Sequence, residues 1–145
     1  LKKGLKLDGK RPALLLAEGG FGAVRSPRFD PAMLSLLENE GVLAQAVVRG
    51  GREYGREWYE SGIRSKKENA INDFQAATGY LISEGYSQRE KLAIWGRGAE
   101  GGLLVAASIT QRPDLFRVAI ASSGLYDLVR YQQFTIGSKW AYDLG

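Results

Sequence analysis

The sequence contains no histidine and no cysteine. Imidazole is the usual general base near neutral pH and the commonest metal ligand, so base catalysis within this chain would have to come from other residues. Lack of cysteine removes disulfides, thiolate zinc sites and a thiol nucleophile together, and nothing marks an oxidising compartment. No apolar stretch approaches the roughly 18 residues of a membrane span, and the opening LKKGLKLDGK lacks the apolar centre of a signal peptide. Charge of one sign is also missing: 20 basic against 16 acidic residues leave a net charge of +4, not gathered into one block. Neither a nucleic-acid partner nor a membrane partner is implied.

What is present is ordinary for a globular domain: 145 residues, 44% hydrophobic and 25% charged. The chain starts at Leu1 rather than Met and runs to Gly145 without tail-like composition, so it is expected to be a piece of something longer. There is no internal repeat and no linker.

Strand and helix signals alternate. Arg11 to Ala17 is a short apolar run bounded by a glycine pair, as expected of a strand buried on both faces. Pro31 to Glu40 has Asp30 as cap and Pro31 at the first helical position, and stops before Gly41. Val42 to Val48 predicts a second strand. Lys66 to Glu84 spaces Ala70, Ile71, Phe74, Ala77, Leu81 and Ile82 as a helix face, with Gly85 ending it. Lys91 to Trp95 and Val118 to Ala121 predict two more strands, separated by a small-residue helix over Gly101 to Gln111. A short helical stretch is expected near Leu125 to Tyr131, and the run Arg64 to Glu68 reads as the solvated start of a helix. The alternation predicts an α/β fold with a parallel sheet, helices on both faces, and function at the strand C-termini.

The third strand runs into Trp95-Gly96-Arg97-Gly98-Ala99-Glu100-Gly101-Gly102, a strand, a glycine-rich turn and a helix of small residues. This is the setting of a nucleophile elbow, in which G-x-S-x-G holds a serine on a strained turn at a helix N-terminus. The position two before Gly101 is Ala99, which has no oxygen to attack with. A phosphate-cradling reading of the same glycines lacks both the Walker Lys-Ser/Thr and a clean G-x-G-x-x-G. No cofactor and no metal is expected.

The strings KLDGKRPALLLAEGGFG, VVRGGREYGREW, FQAATGYLISEGY, KLAIWGRGAEGGLLVAA, TQRPDLF and TIGSKWAYDLG, in this order, resemble the catalytic domain of the prolyl oligopeptidase family of serine peptidases. The resemblance covers nearly all of the chain. It implies an α/β-hydrolase domain, present here as its N-terminal part over residues 1–145, with the rest of that domain and a β-propeller carried by the full-length protein. It further implies a short proline-containing peptide as substrate or ligand. The family's elbow, Gly-Gly-Ser-Asn-Gly-Gly, matched onto Gly101-Gly102, puts Ala99 at the nucleophile and Glu100 where a backbone N–H helps bind the oxyanion. One extra residue between Ile94 and Gly101 allows a second register, with Gly98 at the serine position. Neither register supplies a nucleophile. The family's second oxyanion donor is a tyrosine hydroxyl, and Glu18 stands at its position. A carboxylate there would repel a developing oxyanion. The family's catalytic Asp and His fall beyond Gly145.

The resemblance also places Trp140, with Phe21, Leu125 and Ile136, at the pocket that holds the proline ring against a tryptophan. From patterning alone these four read as ordinary core residues. Glu18 and Glu100 would come close together in such a fold. Either they form a small acidic site for a cation or a peptide amine, or both carboxylates point into water. Three functions follow: a peptidase whose elbow string is divergent or misread, a non-catalytic relative that keeps the peptide pocket, and hydrolysis driven by Glu18 and Glu100 themselves.

Overall fold

The computed structural model describes residues 1–17, 20–27, 29–134 and 136–145. Strands β1 (Ala13–Ala17), β2 (Val42–Ala46), β3 (Leu92–Arg97) and β4 (Val118–Ser122) form one sheet in the order β2-β1-β3-β4. Every pairing is parallel, as the alternation of elements predicts. The connections carry helices α1 (Leu34–Glu38) after β1, α2 (Arg56–Glu60) and α3 (Lys67–Ser83) after β2, and α4 (Gly98–Gln111) after β3; α5 (Ala141–Leu144) lies near the end of the chain.

β1 and β3 are central because their sequences, ALLLA and LAIWGR, can lie between two neighbours with little polar side chain to satisfy. Their burial alternates. Ala13, Leu15, Ala17, Leu92, Ile94 and Gly96 are buried, while Leu14, Leu16, Ala93 and Trp95 are half-buried. The expectation of burial on both faces is therefore corrected: one face is fully packed and the other half covered. The packed face meets α3 and α4, with Phe74, Leu104 and Val105 inaccessible to solvent. Polar groups in this core turn back on their own helices. Thr78 donates to the Phe74 carbonyl and Ser108 to the Leu104 carbonyl, both at 2.8 Å.

Asp30 caps the first helical segment through its carboxylate, which accepts from the Ala32 N–H at 3.0 Å, and Pro31 follows at the first position as predicted. The segment opens as a 3-10 turn, Pro31–Met33, before α1. α4 begins three residues earlier than expected, at Gly98 instead of Gly101. The helix expected near Leu125 to Tyr131 is absent. There the Asp127 carboxylate accepts from the N–H groups of Val129 and Arg130 at 3.2 and 2.9 Å, which holds the backbone in a turn and leaves a single 3-10 turn at Tyr131–Gln133.

The loop after β2 is fastened to α3 by a fork. The Asp73 carboxylate accepts from the Arg49 backbone N–H at 3.0 Å, from Nε at 2.8 Å and from Nη2 at 2.6 Å, with both side chains largely buried. Asp73→Ala leaves the Arg49 backbone N–H and Nε without an acceptor, while Nη2 keeps its 3.4 Å bond to the Asn69 carbonyl, and we expect it to lower unfolding stability by about 2 kcal/mol in a urea titration. Asp114→Ala, which breaks the exposed pair with Arg112, should leave the midpoint unchanged.

Candidate active site

Loops following β1, β3 and β4 meet at the C-terminal end of the sheet. The β3 to α4 junction is tight: a Cβ on Gly96 would lie 1.8 Å from the Gly101 carbonyl oxygen, and one on Gly101 2.3 Å from that of Ala17. Helix and strand can cross this closely only without side chains there. Between them the chain reverses at Gly98, whose φ of +73° is the left-handed turn of an elbow, with open space where its Cβ would be. Ala99 follows, half-buried in the first turn of α4, and its carbonyl accepts from the Leu125 N–H at 3.1 Å. That bond brings Leu125, from the loop after β4, to the elbow. Gly102 allows the same loop to approach, since its Cβ would meet the Gly124 Cα at 2.3 Å.

Glu100 corrects an expectation. It is 3% exposed, and its two carboxylate oxygens each accept from Lys67 Nζ at 3.0 Å. It neither points into water nor offers free oxygens to a cation, and among the described residues no group of three or more metal-ligating side chains is gathered. Glu18 lies outside the described residues. Lys67 likewise departs from the solvated helix start expected for Arg64 to Glu68, because it is the one member of that run turned inward, where it neutralises Glu100. Burial pushes the Glu100 carboxyl up from its ordinary range; the Lys67 ammonium pulls it back, and the nearby Asp143 carboxylate adds to the upward shift.

Phe21 and Trp140 come together, their rings stacked with centroids 5.7 Å apart and 13° between planes. Phe21 has a φ of +45°, an unfavourable conformation for a bulky side chain. Trp140 ends a 3-10 turn, Gly137–Trp140, that Ile136 precedes with its side chain largely exposed. The segment carrying Trp140 is tied to α2 and to the 3-10 turn Arg64–Lys66 that precedes α3 by groups that periodicity could not reveal. Tyr59 donates to Asp143 at 2.7 Å, Arg64 Nε donates to the Tyr142 carbonyl at 2.8 Å, and the Arg64 guanidinium lies 4.3 Å from the centre of the Tyr142 ring. Burial and the Asp143 carboxylate push the Tyr59 phenol up to about 12.

Two outcomes follow from this geometry. Gly98→Ala should cost about 1–2 kcal/mol through backbone strain alone, whereas Gly101→Ala, which drives a Cβ into the Ala17 carbonyl, should cost about 3 kcal/mol, both read by chemical unfolding. The folded state binds the Glu100 proton more tightly than the unfolded state, so the contribution of Glu100 to stability is fullest at low pH and is lost as pH rises above 4.5 through the raised value. The difference in unfolding free energy between the parent chain and Glu100→Gln should therefore shift against the parent as pH rises above 4.5.

The model of the prolyl oligopeptidase family matches residues 27–144. The chain is 46% identical over 144 residues to a prolyl endopeptidase of Elizabethkingia meningoseptica, with 99% of this chain and 20% of that protein covered. It is 41% identical over 145 residues to an uncharacterized peptidase of Rickettsia prowazekii, again with 99% and 20% covered. Its fold superposes on the solved structure of a post-proline cleaving enzyme from Rickettsia typhi with a TM-score of 0.94 at 41% identity, covering 99% of this chain and 21% of that one. The chain thus spans about a fifth of the length of these relatives. With a matching family model over most of its length, a parallel sheet in the same arrangement and a strand-turn-helix elbow at the sheet's C-terminal end, the chain belongs to the prolyl oligopeptidase family.

Proposed function

We propose that this chain is the elbow-bearing and peptide-gripping part of a prolyl oligopeptidase-type hydrolase domain, that it binds a short proline-containing peptide against Trp140, and that it does not hydrolyse one by itself. The observation that carries this reading is the Phe21–Trp140 stack at the same end of the sheet as the elbow. A flat indole held by a second ring suits a rigid, apolar proline ring. Leu125 is drawn to that end by its bond to Ala99, and Ile136 precedes the turn carrying Trp140. We assign both to the rim of the pocket.

For the nucleophile, the left-handed φ at Gly98 favours the register with Gly98, not Ala99, at the serine position, and Ala99 then supplies the backbone N–H next to it. Either way the elbow offers no oxygen, and the chain has no histidine to serve as its base. A second reading, a peptidase with a divergent elbow, draws on the 46% identity to a prolyl endopeptidase. Hydrolysis driven by Glu18 and Glu100 loses its support, because both Glu100 oxygens are occupied by Lys67.

The chain should quench its tryptophan fluorescence on adding a Gly-Pro peptide and should release nothing from a chromogenic Gly-Pro anilide. Trp140→Ala should weaken peptide binding about tenfold; unchanged affinity would move the site elsewhere. In the full-length protein, activity gained in Gly98→Ser and not in Ala99→Ser would support the proposed register, while wild-type hydrolysis would favour the second reading.

A further inference from the structure

Phe21 occupies a conformation that its bulk disfavours, so something must hold it there. Part of the restraint is backbone: Ala23 N–H donates to the Gly20 carbonyl and Gly22 N–H to the Gly50 carbonyl, both at 2.9 Å. These bonds close the turn without specifying where the Phe21 ring points.

The ring has a partner on α3. Lys67 Nζ lies 5.2 Å from its centroid, within reach of a cation–π attraction, and the side chain that carries it is 11% exposed. The same ammonium is held by both Glu100 oxygens. Glu100 in turn packs against the residue before Phe21: a Cβ on Gly20 would lie 2.1 Å from Glu100 Cγ, so the acidic side chain fills the place a side chain at residue 20 would take. One ion pair therefore touches the Gly20–Phe21 turn twice, under its backbone and over its ring, and joins it to the first turns of α3 and α4. Among the described residues, other charge near the pair comes from Asp143, whose carboxylate is engaged by the Tyr59 hydroxyl.

We propose that Lys67 and Glu100 are positioning residues that hold the Gly20–Phe21 turn in its left-handed form and so set the Phe21–Trp140 stack and the affinity of the pocket for a proline-containing peptide. The affinity clause rests on the function proposed above; the clause about the stack does not. Neither residue needs to touch the peptide. Their action runs through Phe21, and the buried ion pair is used for geometry and not for net stability, in keeping with the small or negative stabilisation that such pairs supply against apolar replacements.

The test uses the chain itself, labelled with ¹⁵N. Its three tryptophans give three indole N–H signals, and the one lost in Trp140→Phe is that of Trp140. Lys67→Met, Glu100→Gln and the double variant Lys67→Met/Glu100→Leu are compared with the parent, and affinity for a Gly-Pro peptide is measured on the same samples. A single variant strands one buried charge and can unfold the chain, whereas the double variant removes both charges and keeps the fold measurable. In the double variant we expect the Trp140 signal to move or broaden while those of Trp58 and Trp95 stay, and the peptide dissociation constant to rise about tenfold. A double variant with an unmoved Trp140 signal and unchanged affinity would show that the pair only satisfies its own charges, and would overturn the proposal. A parent chain that binds no peptide, with the Trp140 signal still moved in the double variant, would overturn the peptide pocket while upholding the positioning role.

Discussion

Where α4 leaves β3, a Cβ on Gly96 would sit 1.8 Å from the carbonyl oxygen of Gly101, and a Cβ on Gly101 2.3 Å from that of Ala17. Backbone is therefore packed on backbone where the N-terminal turn of α4 crosses the ends of the paired strands β1 and β3. Such contact is incompatible with side chains at those positions, and it fixes the helix relative to the sheet more tightly than side-chain packing alone could. Everything at this end of the molecule is referred to that crossing. The reversal at Gly98, the approach of the loop after β4 to Gly102 and the bond from Leu125 to Ala99 all depend on the helix starting at that height.

A close crossing also decides what happens to a charged residue in the first turn. Glu100 sits one residue before Gly101, so the turn that brings Gly101 onto β1 carries Glu100 into the interior with it. An isolated carboxylate there would be costly, and the helix N-terminus offers only partial compensation. Lys67 supplies the missing charge from the first turn of α3. Its four-carbon stem lets it enter at the helix start and still reach both oxygens, which a shorter side chain could not do. The glycine crossing thus explains the buried pair, and the pair explains why the start of α3 is not solvated throughout.

Much of this architecture could be read before any coordinates. The strands around Leu15, Ala44, Ile94 and Ala119, the cap at Asp30-Pro31 and the long helix built on Ala70, Phe74 and Leu81 each follow from periodicity and local stop signals, because burial of one face repeats along the chain. The strand-turn-helix setting of Gly98 was legible for the same reason. Three things were not. The Asp127 turn competes with a helix through side-chain bonds to the backbone that hydrophobic patterning does not register. The inward turn of Lys67 depends on a carboxylate 33 residues away. Trp140 is moored by the Tyr59–Asp143 bond, which joins residues 84 apart. The resemblance named Trp140 with Phe21, Leu125 and Ile136, and the stacking of Phe21 on Trp140 is a tertiary fact that neither residue's local sequence contains.

The choice between registers at the elbow turns on the same physics. A serine nucleophile is exposed by a left-handed turn, a conformation that carries strain for any residue with a Cβ and none for glycine. Here that turn falls on Gly98, with open space beyond its missing side chain, while Ala99 is already helical and its carbonyl is engaged by Leu125. In the register we propose, the pattern that opens at Gly96 keeps its spacing to the turn, and the extra residue relative to the family's string is taken up after it, within the first turn of the helix. The residue displaced inward by that lengthening is Glu100. On this argument the missing nucleophile and the buried carboxylate have a common local origin, with glycine relieving the strain of the turn and Lys67 neutralising the charge that the longer turn brings inside.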